Sequence, residues 1–242
     1  MTSLAELLTR PDIWRGDAIA VSPAPTLPSG FAQLDAELPG GGWPRSQLIE
    51  LLHDQAGIGE LSLLLPALAQ LTAQGGKVVL VLPESFSNRV PHAPAWAAAG
   101  VNIEHLYWVW AQRERDCLWA AVESLRCGAV AATLLWCDPS MSLVINSFRR
   151  LHVAAGEGQG CGFVYRPLRD AAVTSPAPLR LRLRATDELL QVDLLKRRGH
   201  PLAQPLRLAV PRPAAWRGNS DALAGAVPQS QVSSGLSVGA LA

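Results

Sequence analysis

The segment most exposed to phosphate chemistry is His53-Asp54-Gln55-Ala56-Gly57-Ile58-Gly59-Glu60-Leu61-Ser62, which follows an apolar run from Gln47 to Leu52 and precedes a helical pattern. A phosphate-binding loop at such a strand-to-helix junction reads G-x-x-x-x-G-K-[ST]. Its backbone N–H groups cradle phosphates, its Lys neutralises charge and its hydroxyl holds magnesium. The length fits, but the chemistry does not. His53 takes the place of the first Gly, Ile58 of the second, Gly59 of the Lys and Glu60 of the hydroxyl, with Gly57 inside the loop. Glu60 sets negative charge against any phosphate, and that repulsion is stronger in a cleft than in water. A helix N-terminus favours anions, but Asp54 and Glu60 already serve its dipole. The segment reads as a dismantled nucleotide site that caps a helix, and neither ATP nor magnesium is expected as a cofactor.

Three more charged residues stand at strand ends. Glu84 follows KVVLVLP, Asp138 follows VAATLLWC and Arg166 follows CGFVY. An acid that polarises water, an acid that holds magnesium and a phosphate sensor occupy such places in phosphoryl-transfer sites. A second cluster is basic. Arg180, Arg182 and Arg184 alternate along LRLRLR and should project from one face at about 6.6–6.8 Å intervals. With Lys196, Arg197 and Arg198 they form a candidate surface for DNA or a partner. The competing reading is a charged sheet edge that resists aggregation. No aromatic residues interleave with them, so base stacking is not implied. The cysteines, Cys117, Cys127, Cys137 and Cys161, make no C-x-x-C pair, so buried free thiols are expected and no metal site. His152 and His200 read as surface or structural. Trp14, Trp43 and Trp216 fall in loop-like or terminal segments, where they serve as interface anchors or as packing.

The elements that must position these residues alternate. Residues 1–17 suggest a short amphipathic helix and 22–28 a Pro-rich connector, followed by a short helix at 30–38 and a PGGGWP turn at 39–44. Strands are expected at Gln47 to Leu52, Lys77 to Leu82, Leu106 to Val109, Val130 to Trp136 and Cys161 to Tyr165. The helices between them are expected at 60–74, with Pro66 as a break or kink, 91–100, 112–126 and 140–155. Continuous apolar runs such as KVVLVL suit parallel strands covered on both faces. The β-α alternation predicts an α/β fold, a mostly parallel sheet with helices on both faces. An antiparallel extension at one edge follows, from Leu179 to Arg184, Leu189 to Leu195 and Leu206 to Val210. From 211 the chain turns rich in Pro, Gly, Ser and Ala, which predicts a flexible tail over 211–242.

Composition bounds the rest. The chain has 242 residues, 49% hydrophobic and 17% charged, with net charge +1. Charge is unevenly spread: Arg166 to Arg217 holds eleven basic and four acidic residues, net +7, leaving net −6 elsewhere. Such asymmetry marks either a surface for an anionic partner or a solvated edge. The N-terminus lacks an apolar signal region and no stretch reaches the ~18 apolar residues of a membrane span. A cytoplasmic protein without membrane contact is expected.

Segment by segment these residues resemble the RecA core. Ser29-Gly30, Leu34-Asp35, Gly40-Gly41-Gly42 and Pro44, running into Gln47 to Leu51, look like its lead-in to the first core strand and phosphate loop. Glu84 stands at the place of that family's catalytic Glu, Asp138 at its Walker B acid and Arg166 at its phosphate-sensing residue. PDIWRG at 11–16, LPSG at 27–30, LDAELPGGGWP at 34–44, ELL at 50–52, GIGEL at 57–61 and RRGHPLAQPL at 197–206 resemble the ImuA proteins, RecA-like translesion-synthesis factors sometimes labelled SulA-like. That resemblance implies a non-catalytic accessory role in SOS-induced mutagenesis. It implies work beside ImuB, an inactive relative of Y-family polymerases, with RecA and an error-prone replicative-type polymerase, and only indirect contact with DNA. Three alternatives stay open: a SulA-type inhibitor of cell division, an atypical ATPase, and direct DNA binding through the Arg hairpin.

Overall fold

The computed structural model describes residues 25–86, 91–138, 145–186, 189–198, 202, 204–211 and the backbone of 237–240. The expected N-terminal helix at 1–17 lies outside these residues. The elements run β1 Thr26–Leu27, α1 Ala32–Asp35, β2 Trp43–Pro44, β3 Gln47–His53, α2 Leu65–Ala73, β4 Lys77–Pro83, α3 Ala93–Ala98 and β5 Leu106–Ala111. They continue with α4 Glu114–Arg126, β6 Val130–Trp136, α5 Ile145–Glu157, β7 Cys161–Pro167, β8 Leu179–Ala185, β9 Leu190–Lys196, β10 Leu206–Leu208 and β11 Ser237–Ala240.

The main sheet has the order β10-β9-β8-β3-β7-β6-β4-β5-β11. The block from β8 through β5 is parallel. β9, β10 and β11 join antiparallel at the two edges. The fold is the expected mostly parallel α/β sheet. β3 shows why its strands need cover on both faces. Ile49 and Leu51 pack with Trp43, α2 and α3 on one side, while Leu48 packs with α4 and α5 on the other. Burying each such Leu or Ile stabilises the fold by about 1.5–3 kcal/mol. Among the described residues no helix is long and apolar enough to cross a membrane.

Three expectations are corrected. The helix expected at 60–74 begins only at Leu65, and Pro66 sits in its first turn, where its missing N–H has no partner to lose. Pro66 also packs on Gly30, whose φ is +86° and where a Cβ would lie 2.3 Å from the Pro66 ring. Pro66 is thus a packing residue and not a kink. Part of the Pro-rich connector is a strand, since Thr26 and Leu27 pair with Pro44 and Trp43. Within the expected flexible tail, Ser237–Ala240 pair with β5, because an edge strand leaves a row of backbone donors and acceptors open to any extended segment.

Candidate functional site

Open parallel sheets bind ligands beyond the carboxyl ends of their strands. There, at the ends of β3, β6 and β7, lies a cleft of about 250 Å³ walled by His53, Glu60, Phe86, Trp136, Tyr165 and Arg166, among others. Its aromatic side is ordered. Trp136 stacks on Tyr165 at 4.7 Å between ring centroids with planes 15° apart. His53 meets the same ring edge-on at 5.8 Å. His53 Nδ1 lies 2.9 Å from the Gln55 carbonyl, which only accepts, so this nitrogen carries the proton.

The loop over the cleft holds itself together with its own acids. The Gly57 N–H donates to Glu60 Oε1 at 2.9 Å. The Leu168 N–H, at the start of a 3-10 turn over Leu168–Ala172, donates to Asp54 Oδ1 at 2.9 Å. One backbone donor of the loop, the Gly57 N–H, is therefore already taken by a carboxylate, and Asp54 ties the loop to the turn after β7. The Glu60 side chain is buried, and its Oε2 has no hydrogen-bond partner. The Tyr165 hydroxyl donates to the Glu60 carbonyl. Burial, reinforced by the Glu60 charge, holds this phenol well above its ordinary range.

Gly59 explains why no Lys stands in the loop. Its φ is +100°, in the left-handed region, and a Cβ there would lie 2.5 Å from Val210 Cγ2. Val210, just beyond β10, is itself buried. The C-terminal side of the core fills the space that a Lys stem would need.

Arg166 is not placed as a phosphate sensor. Its Nη1 donates to Glu50 Oε2 at 3.0 Å and its Nη2 lies 3.0 Å from Asp170 Oδ2. The guanidinium carbon sits 4.0 Å above the Phe148 ring. Arg180 reaches the same Glu50 oxygen at 2.9 Å through Nε and donates to the carbonyls of Ala171 and Asp170. The Ser175 hydroxyl donates to Glu50 Oε1. The four charges of Glu50, Asp170, Arg166 and Arg180 balance in a cluster whose centre, Glu50, is 0% exposed. Sequence reasoning missed Glu50. The available signal was a lone acid in the middle of QLIELL, where a buried strand position demands compensating partners.

Glu84 and Asp138 stand at the ends of β4 and β6, but the cleft wall beside them is Phe86 and Cys137. Glu84 is exposed, and Asp138 accepts a hydrogen bond from the Ser85 hydroxyl. The structure links these two strand ends to each other without setting both acids in the cleft.

The expected row of three arginines is corrected as well. Arg180 is buried in the Glu50 cluster, and Arg182 pairs with Asp193 at 2.8 Å. Lys196 donates to the Ser175 carbonyl, and Arg197 pairs with Glu37 at 2.7 Å. Arg184 and Arg198 are exposed. Across the antiparallel edge, Gln191 lies opposite both Arg184 and Arg207, so the exposed basic row is Arg184 with Arg207.

Trp43 is fully buried, edge-on to Phe163 at 5.5 Å, and is packing rather than an anchor. Trp14, Trp216 and His200 lie outside the described residues. His152 is half-buried, and burial together with Lys196 lowers its pKa. Cys117, Cys137 and Cys161 are buried free thiols and Cys127 is an exposed one. Burial pushes Cys161 up to about 12. Among the described residues no group of three or more His, Cys, Asp or Glu is arranged to hold a metal.

No protein-family model matches the chain. RecA of Bacillus licheniformis is 34% identical over 106 residues, 43% of this chain and 29% of that protein. RecA of Oceanobacillus iheyensis is 33% identical over a stretch of the same coverage. Over that stretch the chain is RecA-like. It spans less than a third of the length of these relatives. The crystal structure of SulA from Pseudomonas aeruginosa aligns with 50% of this chain and 97% of its own, at 24% identity and a TM-score of 0.39.

Proposed function

We propose that this chain is a non-catalytic, RecA-like accessory protein of the ImuA type in SOS-induced translesion synthesis. It works in the cytoplasm through protein partners: an ImuB-type inactive polymerase relative, RecA, and an error-prone replicative-type polymerase. The observation that carries the non-catalytic part is the self-filled loop. Gly57 N–H is taken by Glu60, Leu168 N–H by Asp54, and the Lys position by the approach of Val210 to Gly59. A triphosphate arriving there meets two carboxylates and no available Lys, so its charge is repelled rather than neutralised. The similarity to RecA supports a DNA-damage setting, and the resemblance of the short motifs to those of ImuA proteins is the ground for the mutagenesis reading.

The test has two arms. Calorimetric titration of the chain with ATP and magnesium is expected to give no heat of binding. Tight binding that disappears on Glu84→Ala or Asp138→Ala would overturn the non-catalytic reading. Co-purification with ImuB and with RecA is expected to retain at least one of them. Retention of neither, with division arrest on overexpression, would overturn the accessory role.

A further inference from the structure

The cleft beyond β3, β6 and β7 has the polarity of a cation site, the reverse of what a phosphate needs. Glu60 walls it and is 6% exposed. Its Oε1 takes the Gly57 N–H, whereas its Oε2 has no hydrogen-bond partner among the described residues. A buried carboxylate oxygen left without a partner is costly. A positive charge placed beside it offsets that cost, and the attraction is stronger in a cleft than in water. Asp54 adds a second carboxylate to the wall, tied to the Leu168 N–H.

The cationic side chains of the wall do not cancel this charge. Arg166 is held between Glu50 and Asp170 at 3.0 Å each, inside a cluster that balances without Glu60. Arg169 has its side chain 63% exposed and its Nε 3.9 Å from Asp170 Oδ1, so solvent and salt screen it. Of the charges that line the cleft, that of Glu60 is the buried one with no counter-charge.

The rest of the wall suits a flat cation. Trp136 stacks on Tyr165, His53 stands edge-on to the same ring, and Phe86 lies across from them on the β4 side. Aromatic rings attract cations over their faces. Because Nδ1 of His53 carries the proton, the neutral ring offers Nε2 as a further acceptor. A guanidinium is planar, weakly hydrated and rich in N–H donors, and it stacks on aromatic rings, whereas an ammonium holds its water more tightly. The cleft, at about 250 Å³, falls below the roughly 300–1,000 Å³ of sites for drug-sized ligands. One guanidinium on a short stem is the scale of ligand it admits.

We propose that this cleft binds a guanidinium group beside Glu60 and against the Trp136–Tyr165 wall, brought by a small molecule or by an arginine side chain of another protein. The inference rests on the non-catalytic part of the proposed function, since both read the loop as closed to triphosphate. It is independent of the lesion-bypass part.

The experiment is calorimetric titration of the full chain with butylguanidinium and with acetyl-Gly-Arg-Gly-amide. Butylurea and the citrulline form of the peptide have the same shapes without the charge. Each charged probe that binds is expected to do so at least about tenfold more tightly than its neutral counterpart. A clear preference for the peptide assigns the site to a protein's arginine, and equal or better binding of butylguanidinium assigns it to a small molecule. Glu60→Gln keeps a carbonyl for the Gly57 N–H and removes the charge. It is expected to melt no lower than wild type, which checks folding, and to bind the charged probe at least about tenfold more weakly. That probe should also raise the melting temperature of wild type but not of the variant. Equal binding of charged and neutral probes, or unchanged affinity in a folded Glu60→Gln, overturns the proposal. Butylammonium binding as tightly as butylguanidinium overturns the choice of guanidinium. Binding of neither ATP with magnesium nor a charged probe overturns this inference alone, whereas tight ATP binding overturns the non-catalytic reading together with it.

Discussion

Glu50→Gln is the substitution whose outcome the structure fixes most closely. Gln keeps the shape and one carbonyl oxygen but removes the charge on which two guanidinium groups converge. Arg166 and Arg180 are 3% and 8% exposed at the side chain and Glu50 is 0% exposed, so water does not replace the lost carboxylate. Asp170 remains for Arg166, whereas Arg180 keeps only backbone carbonyls. Removing one member of a buried ion cluster costs about 3–5 kcal/mol because the others are left uncompensated. For a chain of this size that lowers the melting temperature by roughly 6–20 °C. Urea and thermal unfolding followed by circular dichroism measure it. The triple variant Glu50→Leu, Arg166→Met, Arg180→Met is expected to recover most of the loss, since replacing the whole cluster by apolar groups removes every desolvated charge together. Asp170 is left at a position open enough to be hydrated. A Glu50→Gln protein that melts within about 2 °C of wild type would refute the reasoning.

Other outcomes follow from the same geometry. Gly59→Ala should destabilise by about 1–3 kcal/mol through the left-handed backbone and the Val210 contact, and Gly59→Lys with Glu60→Thr should still fail to bind ATP with magnesium in a calorimetric titration. Stability should fall as pH rises above 9. The folded Cys161 thiol is held near 12 against an ordinary 9.0, so the unfolded chain releases its proton first. The slope it adds between those values is about 1.4 kcal/mol per pH unit, and urea unfolding of Cys161→Ala should show a shallower decline. Tyr165, raised in the same sense, adds to the loss above pH 10. Arg180→Ala should unfold readily, whereas Arg184→Ala with Arg207→Ala should melt within about 0.5 kcal/mol of wild type. If the edge binds DNA at all, that exposed pair should carry the salt dependence of the affinity.

The sheet was legible because its strands are long apolar runs of a kind only a doubly covered parallel sheet demands. KVVLVL, VAATLLW and CGFVY all fall inside the observed strands. The loop was legible only in outline. Its missing Lys shows in the sequence, but the reason does not, since Val210 and Gly59 meet only after β10 has returned to the core. The Arg hairpin misled for a related reason. Period-2 alternation places three arginines on one face, but it does not say that the face begins beside a buried Glu50 and ends in solvent. Pro66 was read as a flaw because local propensity does not report that Gly30 packs on its ring.

The contact between Gly59 and Val210 also couples two positions far apart in the sequence. A Lys at 59 is not one substitution away from this chain. On its own it meets Val210 from a backbone conformation that side chains avoid. Shortening Val210 first removes buried methyl groups from the core and leaves a gap with nothing to fill it. Both orders of change pass through a less stable protein, so a Lys at 59 is accommodated only when both positions change together, and the loop and the C-terminal side of the core are bound to vary as one unit.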